Sequence, residues 1–224
     1  LNEVERGVHP LWDLPTRVFH WSMVCLIPAA WLTAEMDNLD AHQWVGYAVL
    51  VLVVVRMLWG FVGSRHSRFA DFLAGPRRVL AYLRGAGSDS PGHNPLGGWS
   101  VVVMLSLLAL QAVSGLFNNE DALFQGPLYY AAEPALRDAM GAVHEVAFNA
   151  LLAMIALHIG AVLYHQLRLK ERLVQAMLRG SAPGRAGQAA PAPAWLAVVL
   201  LLAAGLLLWW GLGQAPQPDP GRWG

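Results

Sequence analysis

An all-α integral membrane protein is the fold class this sequence predicts, built as a four-helix transmembrane bundle with a fifth, C-terminal transmembrane helix. Three observations carry that expectation. Hydrophobic residues make up 56% of the 224 and charged residues only 13%, with a mean hydropathy of +0.41, which suits a chain whose solvent is lipid. Apolar runs long enough to cross a hydrocarbon core of about 30 Å recur along the chain. Ten Trp in so short a sequence fit aromatic belts at the two membrane surfaces.

In order, LNEVERGVHPLWDLPTR reads as a polar lead-in, with Pro15 suited to the first turn of a helix. Residue 1 is Leu, and no cleavable signal peptide is expected. A first span runs from about Arg17 to Thr33 with His20 in its opening turn. An acidic link from Ala34 to Ala41 leads to a second span from His42 to about Val62. The connection from Gly63 to Gly97 holds Arg65, Arg68, Arg77, Arg78 and Arg84, and AGPRRVLAYLRG within it is expected as a short surface helix. Asn94 and Pro95 suit the N-cap and first position of a third span, ending near Phe117 and free of histidine. A second acidic connection covers Asn118 to Ala139. The fourth span, Met140 to Arg168, carries His144 and His158 and is expected to continue amphipathically to Leu178. GSAPGRAGQAAPAP has linker composition, and Trp195 to Leu212 makes a fifth span with no ionisable residue.

Charge distribution sets the orientation. The connections after spans two and four hold the arginines, the latter with Arg168, Lys170, Arg172, Arg179 and Arg185, so both belong in the cytoplasm. The N-terminus is then inside and the C-terminal tail outside. The acidic links, with Glu35, Asp37, Asp40, Glu120, Asp121, Glu133 and Asp138 against Arg137, face outward. Such a field steers cationic partners inward, a basic c-type cytochrome among them, and repels small anions.

Histidine spacing points to the chemistry. Fourteen residues separate His144 from His158, which is about 21 Å along a helix and about 40° short of four turns, so both leave one face near opposite membrane surfaces. Ionisable groups inside a span are costly and point at a partner, a cavity or a cofactor. By depth, His20 can share a group only with His158, and His42 only with His144. Neutral imidazole binds iron while its other ring nitrogen donates to an acceptor, so two bis-histidine b-type haems are expected. The single cysteine, Cys25, excludes a Cys-x-x-Cys-His attachment site, an internal disulfide and a thiolate-held cluster, leaving haem without covalent bonds. The bland reading of each histidine is an interhelical hydrogen bond; four at matched depths argue against it.

Other residues keep two readings. Arg56, fourteen residues after His42 and near the cytoplasmic end, either neutralises a haem propionate or snorkels to the headgroups. Gly46, Gly141 and Gly160 serve close cofactor approach or ordinary helix packing. Trp21 and Trp44 either pack on porphyrin or anchor the interface. His9 and His66 are expected to be solvated, His165 lies at headgroup level, and His93 serves helix entry or contacts a quinone or propionate.

The motifs RVFHW in span one, HQWVGYAVLVLVVVRMLWG in span two, GHNPLGGW before span three and HEVAFNALLAMIALH in span four resemble the bacterial cytochrome b561 and nickel-iron hydrogenase b-type cytochrome superfamily. The resemblance covers about Val8 to Gly180. It implies a four-helix haem-binding core, two haem b groups, exchange of electrons with quinone, and His20, His42, His144 and His158 as the ligands. The fifth span lies outside the short superoxide-oxidising members, which leaves the electron donor open.

The expected organisation is therefore a di-haem domain over 1–180, a linker over 181–194, an additional transmembrane helix over 195–213 and a short outer tail over 214–224. The leading function is transmembrane electron transfer, coupling quinone to a periplasmic redox partner such as a c-type cytochrome. A second is a membrane-anchor subunit of a hydrogenase-like or other respiratory oxidoreductase. Superoxide oxidation that reduces quinone and a haem-free metal or proton transporter are remoter. Membrane lipid is the surrounding partner and nucleic acid is not expected; no catalytic residue is assigned, and action as a quinone oxidoreductase stays open.

Overall fold

The computed structural model describes residues 10–87, 92–120, 124–181 and 191–216. His9, Asp121, Arg185, most of the expected linker and residues 217–224 of the expected tail lie outside the described residues.

Helix α1 spans Leu14–Glu35, a turn earlier than the expected start at Arg17. Asp13 is the reason. Its side chain caps the helix by accepting from Thr16 N at 2.9 Å, and Pro15 occupies the first turn. Asp37 adopts a left-handed conformation, φ 54°, and Asn38 caps the next helix by accepting from Ala41 N at 3.2 Å. The result is a tight antiparallel hairpin of α1 with α2, Leu39–Val62.

The arginine-rich connection is more ordered than a solvated loop. After a 3₁₀ turn at Arg65–Ser67 come α3, Phe69–Phe72, and α4, Pro76–Leu83, the expected surface helix. His66 is 4% exposed and bonds Asp71 at 2.9 Å, which corrects its reading as solvated. A Cβ at Gly60 would collide with the Phe69 ring, so this glycine lets the connection fold back onto α2.

Helix α5, Pro95–Gly115, begins as expected, with Asn94 accepting from Gly97 N at 2.7 Å. A short antiparallel ladder, β1 Asn119–Glu120 with β2 Phe124–Gln125, follows and was not foreseen. Helix α6 runs Pro134–Leu167. It does not continue to Leu178: Lys170 takes φ 58°, and bonds from Gln166 to Gln175 at 2.8 Å and between His165 and Glu171 at 3.2 Å close a turn into α7, Leu173–Arg179. Helix α8, Ala194–Gly213, is the last.

Four of these helices, α2, α5, α6 and α8, are long and apolar enough to cross a membrane. Helix α1 has the length, but His20, Trp21, Ser22, Pro28 and Thr33 dilute its apolar character below the others. Packing links α1 to α2, α2 to α5 and α5 to α6, with α8 against the outside of α2. The central core is Met23, Val49, Val53, Leu108 and Leu151, one or two from each of α1, α2, α5 and α6. Helix α8 contributes no buried residue.

The turn into α7 brings the chain back to its start. Arg17 Nε donates to Met177 O at 3.2 Å, its Nη2 donates to Leu178 O, and Leu11 N and Trp12 N donate to Gly180 O at 2.7 and 3.0 Å. Gly180 stands at φ 82°, where a Cβ would press on Trp12 O, so the latch requires glycine.

Candidate functional site

The four histidines come together as two pairs. His20 of α1 faces His158 of α6 with ring centroids 6.4 Å apart, and His42 of α2 faces His144 of α6, also at 6.4 Å. Each pair bridges helices that stand apart, since neither α1 nor α2 packs closely along α6. The core residues Met23, Val49, Val53 and Leu151 lie between the pairs in sequence along their helices, so an apolar layer separates the two sites.

That spacing suits an iron between two imidazoles. Two metal–nitrogen bonds of about 2 Å, with about 1 Å more from each nitrogen to its ring centre, add to about 6 Å. A histidine pair in direct hydrogen bonding needs no such gap between its helices. Among the described residues no group of three or more His, Cys, Asp or Glu side chains converges, so the available donors come in twos.

Second partners orient two of the rings. His42 Nδ1 lies 2.8 Å from Ala30 O, an acceptor on α1, which fixes Nδ1 as the protonated nitrogen and leaves Nε2 for a metal. His144 Nδ1 lies 2.9 Å from Gln111 O and 3.2 Å from Ser114 Oγ. Gln111 Nε2 lies 2.9 Å from His144 Nε2, so this amide and a metal compete for one nitrogen. Gln111 and Ser114 are the site residues that reading for histidine alone misses. Gln111, the one amide side chain in span α5, with Ser114 three residues on, is the signal that points to them. His20 Nδ1 is buried without a partner among the described residues.

The remaining candidates divide. Arg56 is 4% exposed, its Nη1 is buried without a partner among the described residues, and its guanidinium lies 5.9 Å from the Phe69 centroid; it does not snorkel. Trp44 is 62% exposed, as an interfacial anchor is, whereas Trp21 Nε1 donates to Met177 O at 3.4 Å. A Cβ on Gly46 or Gly160 would meet nothing within 4 Å, and one on Gly141 would touch Asn118 Oδ1 at 3.3 Å. Gly46 lies one turn from His42 and leaves open space there; Gly160 is exposed on the far side of α6 from His158.

A polar knot stands just outside the spans. Asp13 accepts from Trp59 Nε1 at 2.8 Å and Ser67 Oγ at 3.1 Å, and Thr16 Oγ1 meets Ser67 Oγ at 2.7 Å. Burial raises the Asp13 carboxyl, but donors from Ser64, Thr16 and Trp59 outweigh it and hold the pKa below the usual carboxylate value. His93 lies edge-on to Trp12 and tilted against Phe72, each at 4.7 Å. Burial pushes its pKa down to about 3, and Arg56 adds repulsion.

Fold and site together define a multi-pass helical membrane protein with two stacked intramembrane histidine pairs, the build of a membrane electron carrier. The chain belongs to the prokaryotic cytochrome b561 family, whose profile matches residues 11–180. It is similar to a probable Ni/Fe-hydrogenase B-type cytochrome subunit of Bradyrhizobium diazoefficiens, 24% identical over 208 residues, covering 76% of this chain and 84% of the relative. No solved structure matches it. The chain is thus a membrane b-type cytochrome that works in electron transfer, and haem b is the cofactor the family carries. The matched region begins and ends at the latch between Leu11 and Gly180.

Proposed function

We propose that the chain carries single electrons across the bacterial inner membrane between quinone and a periplasmic redox partner, through two haem b groups held by His20 with His158 and by His42 with His144. The observation that carries this reading is the pair of 6.4 Å histidine separations, each across helices that stand apart. When bound, haem b would supply one-electron chemistry at iron, and the two imidazoles of each pair would be the residues that hold it.

The chain's own residues do the rest. Ala30 O, and Gln111 O with Ser114, hold the Nδ1 side of His42 and His144, fixing ring orientation and raising basicity at Nε2. The Met23, Val49, Val53 and Leu151 layer keeps water from the space between the pairs. Arg56 is assigned an anionic partner at the inner end, because a buried cation with an unpaired nitrogen is costly.

In this reading α1 is also a span, because it packs antiparallel on α2 and carries one ligand of a pair. Five spans with the arginines inside put the N-terminus in the cytoplasm and the C-terminus in the periplasm. Residues 1–180 form the di-haem domain, with α8 as an addition. A second reading, a membrane subunit of a respiratory oxidoreductase, is favoured by the likeness to a hydrogenase B-type cytochrome subunit. Quinone reduction or oxidation by the purified chain alone supports the first reading; activity only with an added partner enzyme supports the second.

Extraction with acidified organic solvent, with reduced-minus-oxidised spectra, tests the haem assignment. Two haem b per chain are expected. His144→Ala loses one, the double variant His42→Ala/His144→Ala loses the same one and no more, and His158→Ala loses the other. Retention of both haems in His144→Ala, or loss of both in the double variant with helicity intact, overturns the pairing.

A further inference from the structure

Helix α4, PRRVLAYL with Arg84 closing it, buries none of its side chains. At about 100° per residue its positions fall into distinct sides. Val79 and Tyr82, the half-buried pair, form the side toward the bundle, where α5 is the neighbour. About 100° round from them lies the side of Leu80 and Leu83, which are 48% and 62% exposed. About 80° further come Arg77 and Arg84, within about 20° of each other and opposite Val79 and Tyr82. Arg78 lies about 170° from the leucines and points away from them. All three arginines are exposed and make no ion pair among the described residues. No acidic residue occurs from Phe72 to Gly87.

The span beside α4 fixes its depth. Trp99 Nε1, in the second turn of α5, donates to Ala74 O at 2.9 Å, two residues before α4 begins. A Cβ on Gly98 would collide with Phe72 O, so the same segment lies directly on the start of α5. Trp99 is the fifth residue of α5, about 6 Å along its axis, and α5 is long and apolar enough to cross the membrane. A part-exposed Trp with its N–H satisfied near the end of a span marks the headgroup boundary. Helix α4 therefore begins at the membrane surface. An apolar side flanked by arginines at that level suits a helix lying in the interface, and unpaired guanidiniums there attract acidic headgroups and hold phosphate with parallel bonds.

We propose that α4 lies in the headgroup layer and gathers anionic phospholipid. Leu80 and Leu83 enter the first methylenes, Arg77 and Arg84 meet the phosphates at the outer edge of the helix, and Arg78 faces water. The connection between α2 and α5 is thereby anchored to the membrane surface. This rests on the membrane placement of the chain and not on the haem pairing.

Depth is tested on holoprotein carrying Cys25→Ser and Leu83→Cys, labelled with a nitroxide and reconstituted at low density in vesicles of phosphatidylglycerol and phosphatidylcholine. Collisions of the label with oxygen are expected to exceed those with a water-soluble nickel chelate, and a label at Arg78→Cys is expected to show the reverse. Equal access of the chelate at the two positions overturns the proposal. Protection of Leu83→Cys from both reagents also overturns it and assigns the face to a partner protein or a second copy. Charge is tested by native mass spectrometry of the unlabelled holoprotein, titrated with each lipid. Phosphatidylglycerol is expected to bind more tightly than phosphatidylcholine. Arg77→Gln/Arg84→Gln is expected to weaken phosphatidylglycerol by about 25-fold, about fivefold for each arginine, with the haem spectrum unchanged. Arg77→Lys/Arg84→Lys retains most of the preference. Equal binding of the two lipids, or unchanged phosphatidylglycerol affinity in the glutamine variant, overturns the proposal.

Discussion

His93 sits between the rings of Trp12 and Phe72 with Nδ1 buried and without a hydrogen-bond partner among the described residues. Its pKa is pushed down to about 3, by burial first and by Arg56 second. The unfolded chain binds that proton below about pH 6.5 and the folded chain does not until about pH 3, so acid favours unfolding through this window. Stability contributed by keeping His93 neutral is complete above about pH 6.5. By pH 5 the loss is expected to reach up to about 2 kcal/mol, read as a fall in melting temperature, and His93→Phe flattens that dependence. An identical pH slope in His93→Phe would show that another group carries it. At this scale the two histidine pairs were legible because spacing alone separates His144 from His158 along one helix face. His66 was not legible, because its burial depends on Asp71 and on how Ser64 and Ser67 fold under Asp13 and Trp59. Gln111 was hidden for a similar reason: only the facing of α5 and α6 brings it to His144.

Element by element, caps and breakers decided where helices begin and end. Asn94 and Pro95 start α5 as their sequence implies, and Asp13 starts α1 a turn earlier than hydropathy alone suggests. The break between α6 and α7 carries no proline or glycine signal. It is set by side-chain bonds across the turn and by docking of Met177 and Leu178 carbonyls on Arg17. Helix α8 packs on α2 from outside, adds nothing to the central core and carries no histidine. Truncation after Gly180 is therefore expected to leave both haem spectra unchanged, checked by extraction and difference spectra of the shortened chain in detergent. Loss of a haem on truncation would place α8 inside the haem-binding unit.

Among the described residues the exposed acids gather at one end of the bundle, whereas Asp13, Asp71 and Glu171 lie among the arginines and are held by hydrogen bonds. Glu35, Asp37, Asp40, Glu133 and Asp138 are exposed at the end opposite the arginines. Arg137, the one cation among them, is held over the Tyr129 ring at 4.2 Å and donates to Ala132 O at 2.8 Å. The His42 and His144 pair lies at this acidic end. A basic c-type cytochrome is therefore the expected electron partner there, and superoxide, a small anion, a poor one. Stopped-flow reduction by a basic cytochrome c should slow steeply as salt rises through about 0.1 M, where screening reaches about 10 Å. A salt-independent rate, or a fast superoxide reaction that slows with salt, contradicts the steering.

By itself the sequence determined the membrane class, the order of the long helices, the cap of α5 and the pairing of the four histidines, while α1, α2 and α6 begin one or two turns earlier than their apolar runs imply. These are local or periodic properties: apolar run length, helical pitch and cap chemistry act within a few turns of one chain segment. Only the tertiary structure decided that α1 and α6 stand apart while α5 and α6 pack, that Gln111 and Ala30 face the rings, and that Arg56 is buried beside Phe69. Those outcomes depend on which faces meet, and a single span's sequence does not encode its neighbour. In a bilayer most faces are apolar, so pattern alone does not choose the partner; packing shape and the few buried polar contacts do.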